Sequence, residues 1–390
     1  MPIRALIQRS RLTAPLLAAG LLALAGVIPA RAHTVTVANM ARGVLLTQAQ
    51  CASLPQAVWL NVMGRDYCIR YYLSVAGGQN AWPAVFLQGD RLGKLHPSGA
   101  WLTGANEKDI DTDDLMRTAD AISRQTGTTA IYLGRVGVEG SSGDHRIRHS
   151  TLELNVTDAA LEEIKRRHGF KGFHLIGQSG GAKLIGALLA LRNDIGCAVM
   201  GSAGLSEPAQ QPRNGLEYFN VADAIPVIVQ KRSTRMLVIT DPADRLAAAQ
   251  TQTDFVRRIR QAGGHIEQYL VEATDPQRHG VSGYARAAAA DCMRNASPAE
   301  IAQNLQQLVQ QRFAKASAST RLDTPAAMQP RAAAASAPAP QMAANVTPPV
   351  QVNRATPATD TKGVGTGGTE VAPAAEPDTP ASEPLPQPAD

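Results

Sequence analysis

The stretch that most constrains the fold is residues 173–192, FHLIGQSGGAKLIGALLALR. It reads as a short apolar strand, a Gly-rich turn and an apolar helix. Its residues 177–181 form a G-x-S-x-G pentapeptide that occurs nowhere else in the chain. Glycines on both sides of such a turn let neighbouring backbones pass closely. The turn can then hold Ser179 above the sheet, beside the backbone N–H groups that begin the helix. A tight turn with a serine helix cap fits the same residues, so partners for the serine have to be sought elsewhere in the chain.

Strand-like and helix-like segments alternate over most of the chain. Short runs rich in apolar, β-branched or aromatic residues predict strands at residues 67–75, 84–87, 129–133, 173–176, 197–200, 236–240 and 266–271. Helical spacing of apolar residues predicts helices at residues 111–126, 182–192, 221–231, 246–262 and 281–295. Two further helices are predicted, one that is capped by Thr157 and stops at 169, and one that follows residue 297. Apolar strands that alternate with helices indicate an α/β fold, in which a mostly parallel sheet carries helices on both faces.

A serine nucleophile needs a base, and the order of the strands selects one histidine. The reactive loops of a parallel sheet lie beyond the carboxyl ends of its strands. In this arrangement the acid and the histidine follow the serine along the chain. Of the eight histidines, only His265 and His279 lie beyond the candidate acids. His265 precedes the strand predicted at 266–271, whereas His279 follows it, so His279 is expected at the reactive edge of the sheet.

Two carboxylates compete for the role of the acid, in the sequence TDPADRL that ends the strand predicted at 236–240. Asp241 leaves this strand directly, where its side chain could simply cap the following turn. Asp244 lies three residues further and is the preferred partner of His279, whose tautomer it would fix. Asp275 is a third candidate, but it is close to His279 in sequence and therefore poorly placed.

The oxyanion that forms when a carbonyl is attacked needs two hydrogen-bond donors. The backbone N–H of Gly180, which follows Ser179, is expected to be one of them. The loop after the strand at 84–87 should supply the other donor, through the N–H of Gly89 or of Asp90. This chemistry requires no cofactor and no metal, and the spacing of the cysteines matches no zinc motif.

Three segments together resemble the α/β-hydrolase superfamily of serine hydrolases: GQSGG between a strand and a helix, DPAD after the next-but-one strand, and RHG after the last strand. The resemblance covers residues 67–312 and implies an α/β-hydrolase fold with Ser179, Asp244 and His279 as a catalytic triad. The segment RVGVEGSSG at residues 135–143 resembles a loop that borders the active site in exported esterase-like and peptidase-like members. The chain differs from many esterases in having Gln-Gly-Asp in place of His-Gly-Gly, and Leu-Ala in place of Val-Pro after the acid.

The first 32 residues read as a secretory signal peptide. A basic start is followed by an apolar core and by an Ala-Arg-Ala cleavage site that ends at Ala32. Removing this segment takes away four arginines and no acid, which lowers the formal net charge from +5 to +1. No basic, aromatic-interleaved stretch appears elsewhere, so no nucleic-acid partner is expected. The mature protein is expected in the periplasm or outside the cell.

Residues 33–315 form the expected hydrolase domain, and residues 316–390 form a tail. The tail holds 13 of the chain's 25 prolines and no aromatic residue, so it is expected to be disordered and to act as a spacer or to associate with the cell envelope. All four cysteines lie in the domain. An even number of cysteines in an exported chain predicts two disulfides. Of the three connectivities, the local pairs Cys51–Cys68 and Cys197–Cys292 are preferred.

The predicted function is that of an exported serine hydrolase, which cleaves a small ester or a short peptide or amide through an acyl-enzyme on Ser179. No long apolar insertion resembles a lipase lid, which favours a small-molecule or short-peptide acyl substrate over a large lipid. A catalytically inactive α/β-hydrolase-fold binding module of the cell envelope is one alternative. An acyltransferase that uses the same triad is another, and the sequence does not separate it from a hydrolase.

Overall fold

The computed structural model describes residues 43–75, 80–91, 111–208, 211–212, 215–231 and 233–322. The chain divides into two units, Met1–Ala327 and Met328–Asp390, and all the described residues belong to the first. The predicted signal peptide, residues 1–32, lies outside the described residues, as does the part of the predicted tail after Leu322.

One eight-stranded sheet forms the centre of the first unit. Its strands are β1 (Ala57–Val62), β2 (Arg65–Leu73), β3 (Ala84–Leu87), β4 (Ala130–Leu133), β5 (Phe173–Gln178), β6 (Ile195–Gly201), β7 (Arg235–Thr240) and β8 (Ile266–Leu270). They lie in the order β1-β2-β4-β3-β5-β6-β7-β8. Only β2 runs antiparallel to its neighbours, and the other five pairings are parallel. The carboxyl ends of β3 to β8 therefore meet at one edge, which we call the catalytic edge.

Helices cover both faces of the sheet. They are α1 (Gln48–Ser53), α2 (Thr112–Thr126), α3 (Thr151–His168), α4 (Gly180–Leu191), α5 (Ile225–Ile228), α6 (Ala249–Gln261), α7 (Ser282–Met293) and α8 (Pro298–Leu322). Side chains of α3, α4, α5 and α6 form one apolar core with the sheet, and side chains of α2, α7 and α8 form a second core on the other face. This architecture confirms the predicted α/β fold with a mostly parallel sheet.

The start of α3 differs from the prediction. The helix begins at Thr151, where the side chain of Ser150 accepts a hydrogen bond from the N–H of Glu153. The predicted cap, Thr157, lies inside the helix, and its hydroxyl donates to the carbonyl of Glu153 at 2.9 Å. A threonine can bond to its own helix in this way, so the residue type alone did not mark the helix start.

Two other predicted helices are shorter than expected. In place of a helix at 221–231 there is a 3₁₀ turn, Val221–Ala224, followed by the single-turn α5, because Pro226 is accommodated only in the first turn of a helix. Helix α6 begins at Ala249 rather than at 246. The carboxylate of Asp244 accepts hydrogen bonds from the N–H groups of Leu246 and Ala247, which keeps this segment in a loop. The hairpin partner β1 and helix α1 were not predicted.

Two disulfides tie the sheet to its surroundings. Cys51–Cys68 joins α1 to β2, and Cys197–Cys292 joins β6 to α7, which confirms the preferred pairing. Helix α8 continues to Leu322, seven residues past the predicted end of the domain at 315. No helix within the described ranges is both long and apolar enough to cross a membrane.

Candidate active site

Ser179 occupies a sharp turn between β5 and α4. Its φ of 53° and ψ of −122° are rare for a residue with a side chain, and such strain costs on the order of 1–3 kcal/mol. The turn is held by a 2.8 Å hydrogen bond from the N–H of Ser179 to the carbonyl of Gly201. The glycines are required by close packing: a Cβ at Gly177 would lie 2.6 Å from the backbone of Ala182, and one at Gly181 would lie 2.3 Å from a carbonyl oxygen.

The ring of His279 pairs with the carboxylate of Asp244. Nδ1 lies 3.0 Å from Oδ1 and 2.9 Å from Oδ2, and the Asp244 side chain is fully buried. Burial alone would raise the pKa of Asp244. The hydrogen bonds from His279, Ala247 and Leu246 outweigh this effect and lower the pKa below its usual value. An ionised Asp244 favours the imidazole tautomer with hydrogen on Nδ1, which leaves Nε2 free to accept a proton.

Hydrogen bonds with two side chains hold the loop that carries His279. The carboxylate of Asp275 accepts hydrogen bonds from the backbone N–H groups of His279 and Gly280, at 3.0 and 2.7 Å. The side-chain amide of Gln178 donates to the carbonyl of His279 at 2.8 Å, which links this loop to the residue before Ser179. Within the described part of the chain, no hydrogen bond joins the Ser179 hydroxyl to the His279 ring. Such bonds often tighten only when a substrate is bound.

Asp241 does not contact His279. Its buried carboxylate forms an ion pair with the guanidinium of Arg278, with Nε 2.7 Å from Oδ2, and accepts hydrogen bonds from the N–H groups of Ala243 and Ala273. Asp241 therefore joins the loop after β7 to the loop after β8. Arg278 was not singled out from the sequence, and its position immediately before His279 was the only signal that could have suggested this role.

The three residues considered for the oxyanion hole lie together. A Cβ built at Gly89 would be 3.0 Å from Cβ of Ser179, and one built at Gly180 would be 2.0 Å from Oδ1 of Asp90. The loop after β3 thus passes directly over the turn that carries Ser179. The side chain of Asp90 faces two guanidinium groups, Arg135 at 2.8 Å and Arg148 at 3.3 Å, and the ring of His149 at 3.2 Å.

These neighbours lower the pKa of Asp90. Burial alone would raise its pKa, but the interactions with His149 and Arg135 hold the pKa well below its usual range. Arg135 is itself fully buried, faces Glu153 at 2.8 Å, and donates to the carbonyl of Gln88 at 3.2 Å. The segment 135–143, which was expected to border the active site, thus contacts the loop at 88–90 through the side chain of Arg135. His149 and Glu153 were not identified from the sequence.

The topology around these residues decides the fold. Ser179 follows β5, Asp244 lies on the loop after β7 and His279 lies on the loop after β8, all at the catalytic edge. The sheet has eight strands, and only the second runs antiparallel. A turn that carries a serine joins a strand to a helix at the centre of this sheet, and this combination is characteristic of a single fold.

The fold is the α/β-hydrolase fold. The resemblance identified from the sequence is thereby confirmed at the level of the fold, on the strand order and connections.

Solved structures of esterases and of a peptidase are similar to this chain. The Pyrococcus furiosus esterase Pf2001 is 13% identical, with a TM-score of 0.45 over 65% of this chain and 95% of that one. Est1E from Butyrivibrio proteoclasticus, solved with ferulic acid, is 11% identical, with a TM-score of 0.43 over 61% and 98%. The acylaminoacyl peptidase of Pyrococcus horikoshii is 12% identical, with a TM-score of 0.41 over 62% of this chain and 39% of the peptidase. No protein-family description and no curated protein matches the sequence.

Proposed function

We propose that this α/β-hydrolase-fold chain is an exported serine hydrolase, which cleaves a small ester or a short peptide amide through an acyl-enzyme on Ser179. The observation that supports it most directly is the pair formed by the His279 ring and the buried Asp244 carboxylate. His279 lies on the loop after β8, and the side chain of Gln178 ties this loop to the turn of Ser179. A strained turn is retained only where the surrounding structure over-determines it, which is a feature of functional sites.

Each residue has one role in the proposed reaction. The Ser179 hydroxyl attacks the carbonyl carbon of the substrate, and Nε2 of His279 takes the hydroxyl proton and then returns it to the leaving group. Asp244 holds the tautomer of His279 and stabilises the imidazolium that forms. A water molecule, activated by the same histidine, then attacks the acyl-enzyme and releases the acid.

The oxyanion of the tetrahedral intermediate would be bound by backbone donors. The N–H of Gly180 at the start of α4 is one, and the N–H of Gly89 or Asp90 is the other. The hydrogen bonds that Arg135 donates to Gln88 and Asp90 fix the loop at 88–90. These backbone donors therefore need not reorganise during the reaction. Export is proposed from the signal-like residues 1–32, and the two disulfides are compatible with an oxidising compartment.

The proposal is tested by turnover of a short-chain p-nitrophenyl ester and of a peptide p-nitroanilide by the purified chain. His279→Ala should lower kcat/KM by at least about 10³-fold, because the base is lost. His265→Ala is the control, since His265 precedes β8 at the opposite end of the strand, and should retain the wild-type rate. Equal rates in wild type and His279→Ala would reject this mechanism. A folded wild-type protein that turns over neither substrate would favour a binding module.

A further inference from the structure

Two arginines lie near the start of α7, outside the residues used above. The guanidinium of Arg312, on α8, stacks on the ring of Tyr284 with its carbon 4.4 Å from the ring centroid. It also lies against Gly283, where a Cβ would be 1.8 Å from one of its nitrogens. Arg286 follows Gly283 by three residues and so projects from the same side of α7. We call Arg286 and Arg312 the arginine pair.

The arginine pair has no carboxylate partner among the described residues. Neither guanidinium forms an ion pair there, and the Nε of Arg286 is buried without a hydrogen-bond partner. Arg135, Arg192 and Arg278, by contrast, each face at least one carboxylate. Burial and the nearby charge of Arg312 both lower the pKa of Arg286. Two adjacent cations, one of them partly buried and unpaired, are costly unless an anion joins them.

The local backbone adds to the positive potential. Helix α7 has twelve residues, no acidic residue in its first turn and no side-chain cap at Val281. The positive end of its dipole is therefore not balanced from within the helix, and the carboxylate of Asp275 is bonded to the N–H of Gly280, two residues before it. The guanidinium of Arg312 lies against Gly283 in this first turn, so an oxyanion bound by Arg312 would also feel the positive end of the helix.

The arginine pair is close to the catalytic edge. Gly283 follows His279 by only four residues, so the two Cα atoms can be at most about 14 Å apart. This limit is compatible with one extended ligand that contacts both His279 and the start of α7.

We propose that Arg286 and Arg312 form a binding site for an oxyanion of the carboxylate or phosphate class. The site goes beyond the proposed hydrolysis and does not depend on it. The oxyanion could be part of the acyl substrate, as a second carboxylate at its far end, or a separate small anion. Both sources have the same chemistry, because a guanidinium fork binds carboxylate and phosphate oxygens in pairs.

Binding is tested by calorimetric titration of inorganic phosphate and of succinate into the full chain. Wild type should bind at least one of the two probes, and Arg286→Gln and Arg312→Gln should each weaken that binding about tenfold or more, because a charge-assisted hydrogen bond is lost. Arg257→Gln is the matched control, since Arg257 is an exposed arginine on α6 that forms an ion pair with Asp254. Wild-type affinity in the double variant, or no binding of either probe to folded wild type, would overturn the proposal.

A variant that keeps both charges gives a second test. In Gly283→Ala the new methyl group would occupy the place of the Arg312 guanidinium, which should weaken phosphate or succinate binding about as much as Arg312→Gln does. In buffer without either anion, Arg286→Gln should unfold at the same or a higher urea concentration than wild type, because it removes an unpaired cation. Marked destabilisation by Arg286→Gln in that buffer, together with unchanged binding in Gly283→Ala, would assign the arginines a purely structural role.

The source of the anion is distinguished by kinetics. A p-nitrophenyl ester of succinic acid, which carries a free carboxylate, is compared with the neutral butyrate ester. If the substrate supplies the anion, Arg312→Gln lowers kcat/KM for the succinyl ester alone; if a separate anion binds, both esters are affected equally or not at all. The titrations repeated in Ser179→Ala do not depend on turnover, so failure of the hydrolase mechanism and failure of the anion site give different results.

Discussion

Asp241 and Asp244 show how two carboxylates three residues apart take different tasks. Asp244 contacts the ring of His279, and Asp241 contacts Arg278, so one fixes an imidazole and the other fixes the loop that carries it. Both side chains are fully buried. The sequence favoured Asp244 on loop geometry, whereas the ion pair of Asp241 with Arg278 depends on a contact across 37 residues that no local pattern encodes.

This difference predicts separate effects for two amide variants. Asp244→Asn should lower kcat by about 10⁴-fold, because the amide can favour the wrong tautomer of His279. Asp241→Asn should instead lower the free energy of unfolding by about 1–3 kcal/mol, because charge-assisted hydrogen bonds are lost. Ester turnover by the two variants measures the loss of kcat, and urea unfolding measures the loss of unfolding free energy. A larger loss of kcat in Asp241→Asn would move the catalytic role to Asp241.

The lowered pKa of Asp244 predicts a pH dependence of stability. The folded state holds this carboxylate ionised more strongly than the unfolded chain does, so its contribution is fully present above the usual carboxyl pKa. It is lost as the pH falls through the lowered value. The difference in unfolding free energy between wild type and Asp244→Asn should therefore be largest near neutral pH and shrink in acid. A difference that grows in acid would contradict the contacts described for Asp244.

At the scale of elements, the turn between β5 and α4 was the most predictable part of the molecule. Its glycines, its serine and its apolar flanks all indicate one local structure, and β5 pairs with β3 and β6 as a central strand should. Helix starts were less predictable. Thr157 and the segment 246–248 have helix-compatible residues, but a back-bond to Glu153 and the hydrogen bonds of Asp244 decide their conformations. These hydrogen bonds are local, but residue type alone does not tell whether a threonine or aspartate side chain caps a helix or bonds in another way.

Because the turn between β5 and α4 is closely packed, we expect one added methyl group there to lower the free energy of unfolding. In Gly181→Ala the new Cβ would lie 2.3 Å from the Leu87 carbonyl oxygen, which is backbone and cannot swing aside. The variant should lose about 1–3 kcal/mol of unfolding free energy, or more, and should displace the loop at 88–90. Gly169→Ala is the comparison: its φ is +68° but no atom lies within 4 Å, so only the backbone cost of about 1–2 kcal/mol is expected. Equal losses in urea unfolding would show that sterics do not dominate at Gly181.

At the scale of the whole molecule, the two disulfides close loops of very different length. Cys197 and Cys292 are 95 residues apart, and Cys51 and Cys68 are 17 apart. In the loop-entropy account, bonds closing such loops contribute about 4.7 and about 3 kcal/mol. Replacing the Cys197–Cys292 pair by serines should therefore lower the unfolding free energy more than replacing Cys51–Cys68. The reverse order in urea unfolding would show that local packing, rather than chain entropy, sets the contribution of each bond.

The catalytic domain is expected to fold without the tail. Helix α8 extends to Leu322, and its buried contacts come from Ile301 and Leu305, well before that end. Truncation after Leu322 should leave the unfolding free energy within about 0.5 kcal/mol of the full chain, as for changes outside a packed core. Thermal unfolding of both proteins tests this, and a collapse of the truncated chain would show that the tail belongs to the fold.

The central claim, that Ser179 is an activated nucleophile, is tested most directly by covalent labelling of the purified full chain with a fluorophosphonate. The mechanism predicts one label per chain on wild type, none on Ser179→Ala, and undiminished labelling of Ser202→Ala, a buried serine at the end of the neighbouring β6. Labelling that persists in Ser179→Ala would contradict the account.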